Sequence, residues 1–342
     1  MGKEKIENME NMENKNVKKS SKKCRTQEYN VVGNHYILRK QIGSGSFGEV
    51  FKCIRRTDNR LLAAKTENYI EDDNGIMKKC KLVLEKNIYR HLDKNGVKHI
   101  PKIYGYFQGS KPGHSHVMIM SLLGESLDKI FENCGNKMNI SSVLKLSIDL
   151  VSIMKRIHDA GIIHRDIKPN NFMVGKNNKS YIYIMDFGLS KKYVGKNGNH
   201  MPSCTGRTLI GTPRYSGLNV HMGLEPSRRD DLESIGYMLI YFIKGELPWQ
   251  GLKLPKSKQC EDKNKNKERK LSQIYYVKKT TGIKKLCDGL PSCFVEYLDY
   301  VKKLTFTCTP DYDYLINLFV KSAKEENISL KYEWDIVDED SK

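Results

Sequence analysis

The apolar pattern changes character at Gly124, and that change restricts the fold more than any other feature of the chain. Before it, Tyr36-Ile37-Leu38, Glu49 to Ile54, Leu61 to Lys65 and Val117 to Met120 are short strand-like runs. They are broken by turn residues and by one helical pattern over residues 77–93. After it, Leu144, Ile148, Val151 and Met154 recur at helical spacing. Leu232, Ile235, Leu239 and Phe242 repeat the signal, and that stretch is apolar enough for a core helix. The fold class that follows is α+β. A small, mostly antiparallel β lobe with one main helix precedes a larger helical lobe, and there is no internal repeat. Residues 253–270, hydrophilic and lysine-rich, read as a mobile loop.

Composition narrows the partners. The 342 residues carry 59 Lys plus Arg against 40 Asp plus Glu, a formal net charge of +19. Such an excess favours anionic partners, although a lysine-rich surface and basic tails supply part of it. No nucleic-acid motif accompanies the charge, so no nucleic acid is required. The nine cysteines form no CxxC pair and are irregularly spaced, so reduced thiols are expected and not a zinc site or disulfide framework. The first 28 residues have no signal-peptide core. The longest apolar stretch, Ile235 to Ile243, is too short to cross a bilayer. Met1-Gly2 invites a myristoylation reading, which Ile6 counts against. Residues 1–30 cannot bury enough apolar surface to offset ordering entropy and read as a disordered tail. Its cluster Lys18 to Lys23 is either a nuclear address or merely solvated, the second reading being preferred. The expected location is cytoplasmic, with the nucleus as a second compartment.

Gly43-Ser44-Gly45-Ser46-Phe47-Gly48 lies between two strand-like runs. Glycines there let the backbone approach a phosphate and aim N–H groups at it. Alone this pattern is weak, because dinucleotide-binding turns share it; those open a helix, whereas here Glu49 to Ile54 continues as a strand. Lys65 ends a buried strand, where a lysine is rare unless it meets an anion. Its natural partners are nucleotide phosphates and Glu85 on the next helix, although taken alone Glu85 reads as a surface helix residue. Glu71, Asp72 and Asp73 are weaker rivals in a polar loop.

The strongest signal is His164-Arg165-Asp166-Ile167-Lys168-Pro169-Asn170-Asn171 followed by Asp186-Phe187-Gly188. Phosphoryl transfer asks little covalent chemistry of a protein; it needs alignment and neutralised charge. Asp166 suits the task of orienting a hydroxyl and taking its proton, and Asn171 and Asp186 suit holding Mg2+ beside ATP. Lys168 can reach the γ-phosphate. All four blocks in order form a specific signature. A binding scaffold that had lost the chemistry would show damage at Lys65, Asp166, Asn171 or Asp186, and all four are intact.

On these residues the chain resembles the eukaryotic protein kinases over about residues 36–335. The resemblance implies the two-lobed kinase fold, with lobes at about 31–120 and 125–335, a short tail at 336–342, and a monomer. Lys168 and Gly211-Thr212-Pro213-Arg214-Tyr215 are similar to the serine/threonine type. Leu122 to Leu127, Asp186 to Tyr193, Ser227 to Ser234, Leu247 to Lys253 and Pro310 to Leu315 resemble the casein kinase 1 group more closely. That group lacks Ala-Pro-Glu after the activation segment, and Ser216-Gly217-Leu218-Asn219 stands here.

The resemblance also implies an ATP site of Ile42, Gly43, Ser44, Gly45, Ser46, Phe47, Gly48, Val50, Ala63, Lys65, Met120, Ser121, Leu123, Met173 and Asp186. Met120 would be the gatekeeper, the Ser121 carbonyl and Leu123 backbone would bond the adenine edge, and Val50, Ala63 and Met173 would sandwich the ring. Ser121 departs from the group's usual Glu, which implies altered inhibitor preference with ATP binding kept. Asp231 would cap the catalytic loop. Substrates with acidic or phosphorylated residues N-terminal to the target are implied, met by Arg214, with Arg165, Lys191 and Arg207 forming a second anion site. Without a long tail after Trp334, constitutive activity is expected. Ser203, Thr205 and Thr208 are candidate autophosphorylation sites.

Overall fold

A computed structural model describes residues 31–45, 48–68, 80–109, 115–195, 197–253 and 261–335. Its first part is a six-stranded antiparallel sheet in the order β1-β2-β3-β4-β6-β5. The strands are β1 (Val31–Val32), β2 (Tyr36–Gly45), β3 (Gly48–Arg55), β4 (Leu61–Asn68), β5 (Ile103–Phe107) and β6 (Ser115–Ser121). Side chains alternate between the two faces of a strand. On β4, Leu62 and Ala64 join Cys53, Val117 and Ile119 in a small outer core, while Ala63 faces the main core with Met118 and Met120. Lys65 shares the Ala63 face, so the alternation carries its ammonium inward.

Helix α1 (Lys81–Lys94) lies against that inner face. Its buried residues Leu82, Glu85, Ile88, Tyr89 and Leu92 follow helical spacing, which sets a carboxylate within an apolar stripe. The helix start has no cap of its own. Glu67 at the end of β4 supplies one, accepting from Lys81 N at 3.1 Å and Leu82 N at 2.6 Å. One strand therefore carries both Lys65 and the anchor for the helix that carries Glu85.

The second part contains α2 (Leu127–Asn133), α3 (Ile140–Asp159), α4 (Leu218–His221), α5 (Arg228–Lys244), α6 (Lys263–Thr280), α7 (Ile283–Leu286), α8 (Ser292–Lys303) and α9 (Tyr312–Glu325). Ser126 and Asn139 cap α2 and α3 through their side chains. Helix α5 is buried on nearly every side, with α3 and α8 packed on it and α9 lying along α3. Short pairs β7 (Ile162–Ile163) with β10 (Lys191–Lys192), and β8 (Phe172–Val174) with β9 (Ile182–Ile184), hold the connecting loops between the lobes.

Helix boundaries extend the sequence reading by a few residues at α3 and α5. The loop expected over 253–270 needs correction: residues 263–270 are the first turns of α6. Asp262 caps that start, accepting from Asn264 N at 2.8 Å, and Ile274 and Val277 pack its far half on the core. The lysine-rich turns follow as an exposed extension with no apolar stripe to announce them. The remainder at 254–260, the tails, Ser46, Phe47 and the rivals Glu71, Asp72 and Asp73 lie outside the described residues.

Leu239 in α5 is fully buried. Leu239→Ala is expected to destabilise the fold by about 2–5 kcal/mol in urea unfolding. A change under ~0.5 kcal/mol would contradict the central place of α5.

Candidate active site

Where β2 ends and β3 begins, Gly43 pairs with Val50 and Gly45 with Gly48. Gly48 has φ +144°, and a Cβ there would stand 1.6 Å from the Thr66 carbonyl oxygen, so only glycine fits. Beneath lies a cavity of about 470 Å3. Ile42, Gly43, Val50, Ala63, Lys65, Met120, Ser121, Leu123 and Met173 line it, together with Lys52, Leu122, Gly124, Asn170, Lys176 and Met185. Ser44, near the end of β2, is not in that lining. The Ser121 hydroxyl accepts from Lys102 N at 3.2 Å on neighbouring β5's approach. A larger cavity of about 630 Å3, lined by Arg60, Lys176, Tyr181 and Tyr183 among others, holds none of the phosphate-handling residues.

Lys65 Nζ stands 2.7 Å from Glu85 Oε2 and 2.8 Å from Asp186 Oδ1. Burial opposes the ammonium, but the two carboxylates outweigh it and hold the Lys65 pKa above the ordinary lysine range. Asp186 is likewise held below the usual carboxylate range by Lys65 against burial. Its backbone is left-handed at φ +65°, and its N–H donates to the Tyr89 hydroxyl at 3.1 Å. Phe187 packs edge-on between Tyr89 of α1 and His164, with ring centroids 5.0 Å from each. That aromatic stack sets the depth at which Asp186 meets Lys65.

The loop at His164 to Asn171 hangs from one buried carboxylate. Asp231 of α5 accepts from His164 N at 2.7 Å, Arg165 N at 2.8 Å and His158 Nε2 at 3.0 Å. Burial pushes its pKa up, and these donors outweigh it. Asp166, also buried, accepts on Oδ1 from Thr212 Oγ1 at 2.8 Å. On Oδ2 it accepts from Lys168 Nζ at 2.6 Å and Asn171 Nδ2 at 3.3 Å. The Asn171 amide nitrogen also donates to the Asp166 carbonyl at 2.8 Å, which leaves its side-chain oxygen as the atom able to meet a cation. Asn171 O in turn accepts from Met185 N at 2.9 Å, joining this loop to the residue before Asp186.

Among the described residues no group of three or more His, Cys, Asp or Glu could cage a metal ion. The amide oxygen of Asn171 and the second carboxylate oxygen of Asp186 form instead a sparse set of hard oxygen donors. Such a set fits Mg2+, which keeps waters and substrate phosphates as its remaining ligands.

The sequence reading assigned Thr212 no task and missed Glu225. Thr212 reaches Asp166 because Gly211 lets the two segments touch: at φ +85°, a Cβ on Gly211 would lie 2.4 Å from the Arg165 carbonyl oxygen. Arg165, Lys191 and Arg207 do converge, but on a carboxylate of the chain itself. Glu225 stands 3.5 Å from Arg165 Nη1, 2.9 Å from Lys191 Nζ and 3.0 Å from Arg207 Nε. The place expected to take an external anion is thus already filled. Arg214 stacks over Tyr215 and Tyr241, at 5.7 and 5.5 Å from the ring centroids, and makes no ion pair among the described residues.

The family model for the protein kinase domain matches residues 36–304. The chain belongs to that family, whose members use ATP and a divalent metal and act on protein substrates. No helix among the described residues is long and apolar enough to cross a membrane.

Burial pushes the Glu225 carboxyl up, but Lys191, Arg165 and Arg207 outweigh it and hold its pKa below the ordinary value. The three ion pairs therefore add stability above the unfolded pKa, and the addition fades as pH falls through the folded one. The melting-temperature gap between the wild type and Glu225→Gln is expected to be largest at neutral pH and to shrink below about pH 4. An equal gap at pH 7 and pH 3 would exclude the ion pairs as its source.

Proposed function

We propose that this protein kinase transfers the γ-phosphoryl group of Mg-ATP to serine and threonine hydroxyls, as the casein kinase 1 group does. The observation that carries the reading is the bonding of Asp166, whose two oxygens meet Thr212 and Lys168 beside the Lys65–Asp186 pair. Bound Mg-ATP supplies the phosphoryl group and the charge that neutralises its oxygens. Asp166 orients the acceptor hydroxyl and takes its proton as the new oxygen–phosphorus bond forms and the bond to the ADP leaving group breaks. Lys65, fixed by Glu85, holds the nucleotide phosphates, and Asn171 and Asp186 would hold the metal. Lys168 lies close enough to Asp166 to meet the transferred group's charge.

Arg214 supports a preference for acidic or phosphorylated substrates, because stacking fixes its guanidinium without spending it on a carboxylate. Glu225 supports constitutive activity. It gives the cations of Arg165 and the activation segment a permanent partner where many kinases hold a phosphate. A monomer in the cytoplasm, with access to the nucleus, completes the reading.

Asp166→Asn is expected to lower kcat by about 10²–10⁴-fold while the protein stays folded; substantial residual turnover would contradict the base assignment. Arg214→Ala is expected to lower kcat/KM for an acidic or primed peptide about tenfold relative to a neutral one, ~1.4 kcal/mol of discrimination. An unchanged ratio would remove Arg214 from substrate recognition. Purified protein should transfer phosphate without prior modification, and dependence on an activating kinase would refute the constitutive reading.

A further inference from the structure

We infer that Lys278 is a positioning residue for substrate: its ammonium tethers the segment at Pro213 to Ser216 and so holds Thr212 and Arg214 in place. Lys278 lies on α6, and only 1% of it is exposed. Its Nζ donates to the Pro213 carbonyl at 2.8 Å and the Ser216 carbonyl at 2.6 Å. It also sits 5.0 Å from the ring centroids of both Tyr237 and Trp249. No carboxylate among the described residues pairs with it within 4.0 Å. A buried cation held by carbonyl dipoles and ring faces, with no counter-charge in contact, is costly to keep. Burial pushes its pKa down to about 7, with Glu233 opposing and Lys302 adding to the shift. A methionine would fill the same space without a buried charge, while leaving the two carbonyls without this donor.

What the ammonium does can be read from its partners. The Arg214 carbonyl between them accepts from Trp249 Nε1 at 2.7 Å, and Pro213 O also meets His221 Nε2 at 3.2 Å. Beyond Ser216, Glu233 of α5 takes over by accepting from Leu218 N at 3.3 Å. Every one of these contacts is to backbone, so the segment's path is fixed without drawing on the Thr212 and Arg214 side chains. Thr212 then falls on Asp166, and the Arg214 guanidinium on its two tyrosines. The string Ser216-Gly217-Leu218-Asn219 lacks the acidic residue of Ala-Pro-Glu, and a lysine reaching in from α6 anchors the segment through its carbonyls.

The inference rests on the phosphotransfer reading above, and kinetics with Lys278→Met and Lys278→Gln separate the two. Activity should follow the number of N–H donors and stability the apolar character. Lys278→Met is expected to melt near the wild-type temperature, the removed buried charge offsetting the two carbonyls left without this donor. Its kcat/KM for a peptide should fall at least tenfold, with KM for ATP unchanged. Lys278→Gln, which keeps an NH2 group, should recover part of the peptide kcat/KM yet melt lower than the methionine variant. Peptide kinetics within twofold of wild type in Lys278→Met, or losses that track melting temperature across both variants, would overturn the assignment. If the methionine variant does not fold, Lys278→Gln decides alone: a peptide-specific loss supports the tether, and an equal loss in ATP and peptide parameters refutes it. A wild-type protein that phosphorylates no peptide would instead overturn the phosphotransfer reading.

Discussion

The ammonium of Lys65 is the point at which the two lobes are made one machine. Alternation along β4 turns it inward, the helical stripe of α1 brings Glu85 to it, and a left-handed residue after β9 brings Asp186. Each group alone would be a charge or dipole buried at a cost of several kcal/mol. Together they offset one another, and the offset exists only when sheet, helix and lower lobe are correctly placed. The alignment needed for phosphoryl transfer is thereby tied to the electrostatics of a single contact.

The lower lobe uses the same logic with backbone in place of side chains. Asp231 grips two amide N–H groups of the loop that carries Asp166, from a helix that is itself enclosed by α3 and α8. The facing segment is gripped by its carbonyls from Lys278 and Trp249. Two irregular loops, neither able to bury its polar groups unaided, are held against each other by rigid helices. Thr212 to Asp166 is the bond where they meet.

Much of this was legible in the chain. Strand and helix periods located the lobes, and Glu85 was named as a partner for Lys65 from its place on the next helix, although its own position read as surface. The glycine turn, Lys65, Asp166, Asn171 and Asp186 were recognisable by residue type and order. What local pattern does not carry is the pairing of distant groups. Nothing near Glu225 announces that it folds onto Arg165, 60 residues away, nor that Thr212 would reach Asp166 across 46. Lys278 sits in a lysine-rich sequence and looks like its solvated neighbours until α6 is seen to turn that one side chain inward. The first turns of α6 were misread for a related reason: their helix is capped by Asp262 and held by its far half.

The carboxylate of Glu225 has a consequence beyond the order it brings to its three cations. An ester phosphate at such a place can be hydrolysed away, and the arrangement it supports is lost with it. A carboxylate joined to the chain by carbon–carbon bonds offers no group to cleave. Under the constitutive activity proposed above, restraint on this molecule would act by other means: on how much of it is made, how long it survives, or which proteins are brought within its reach.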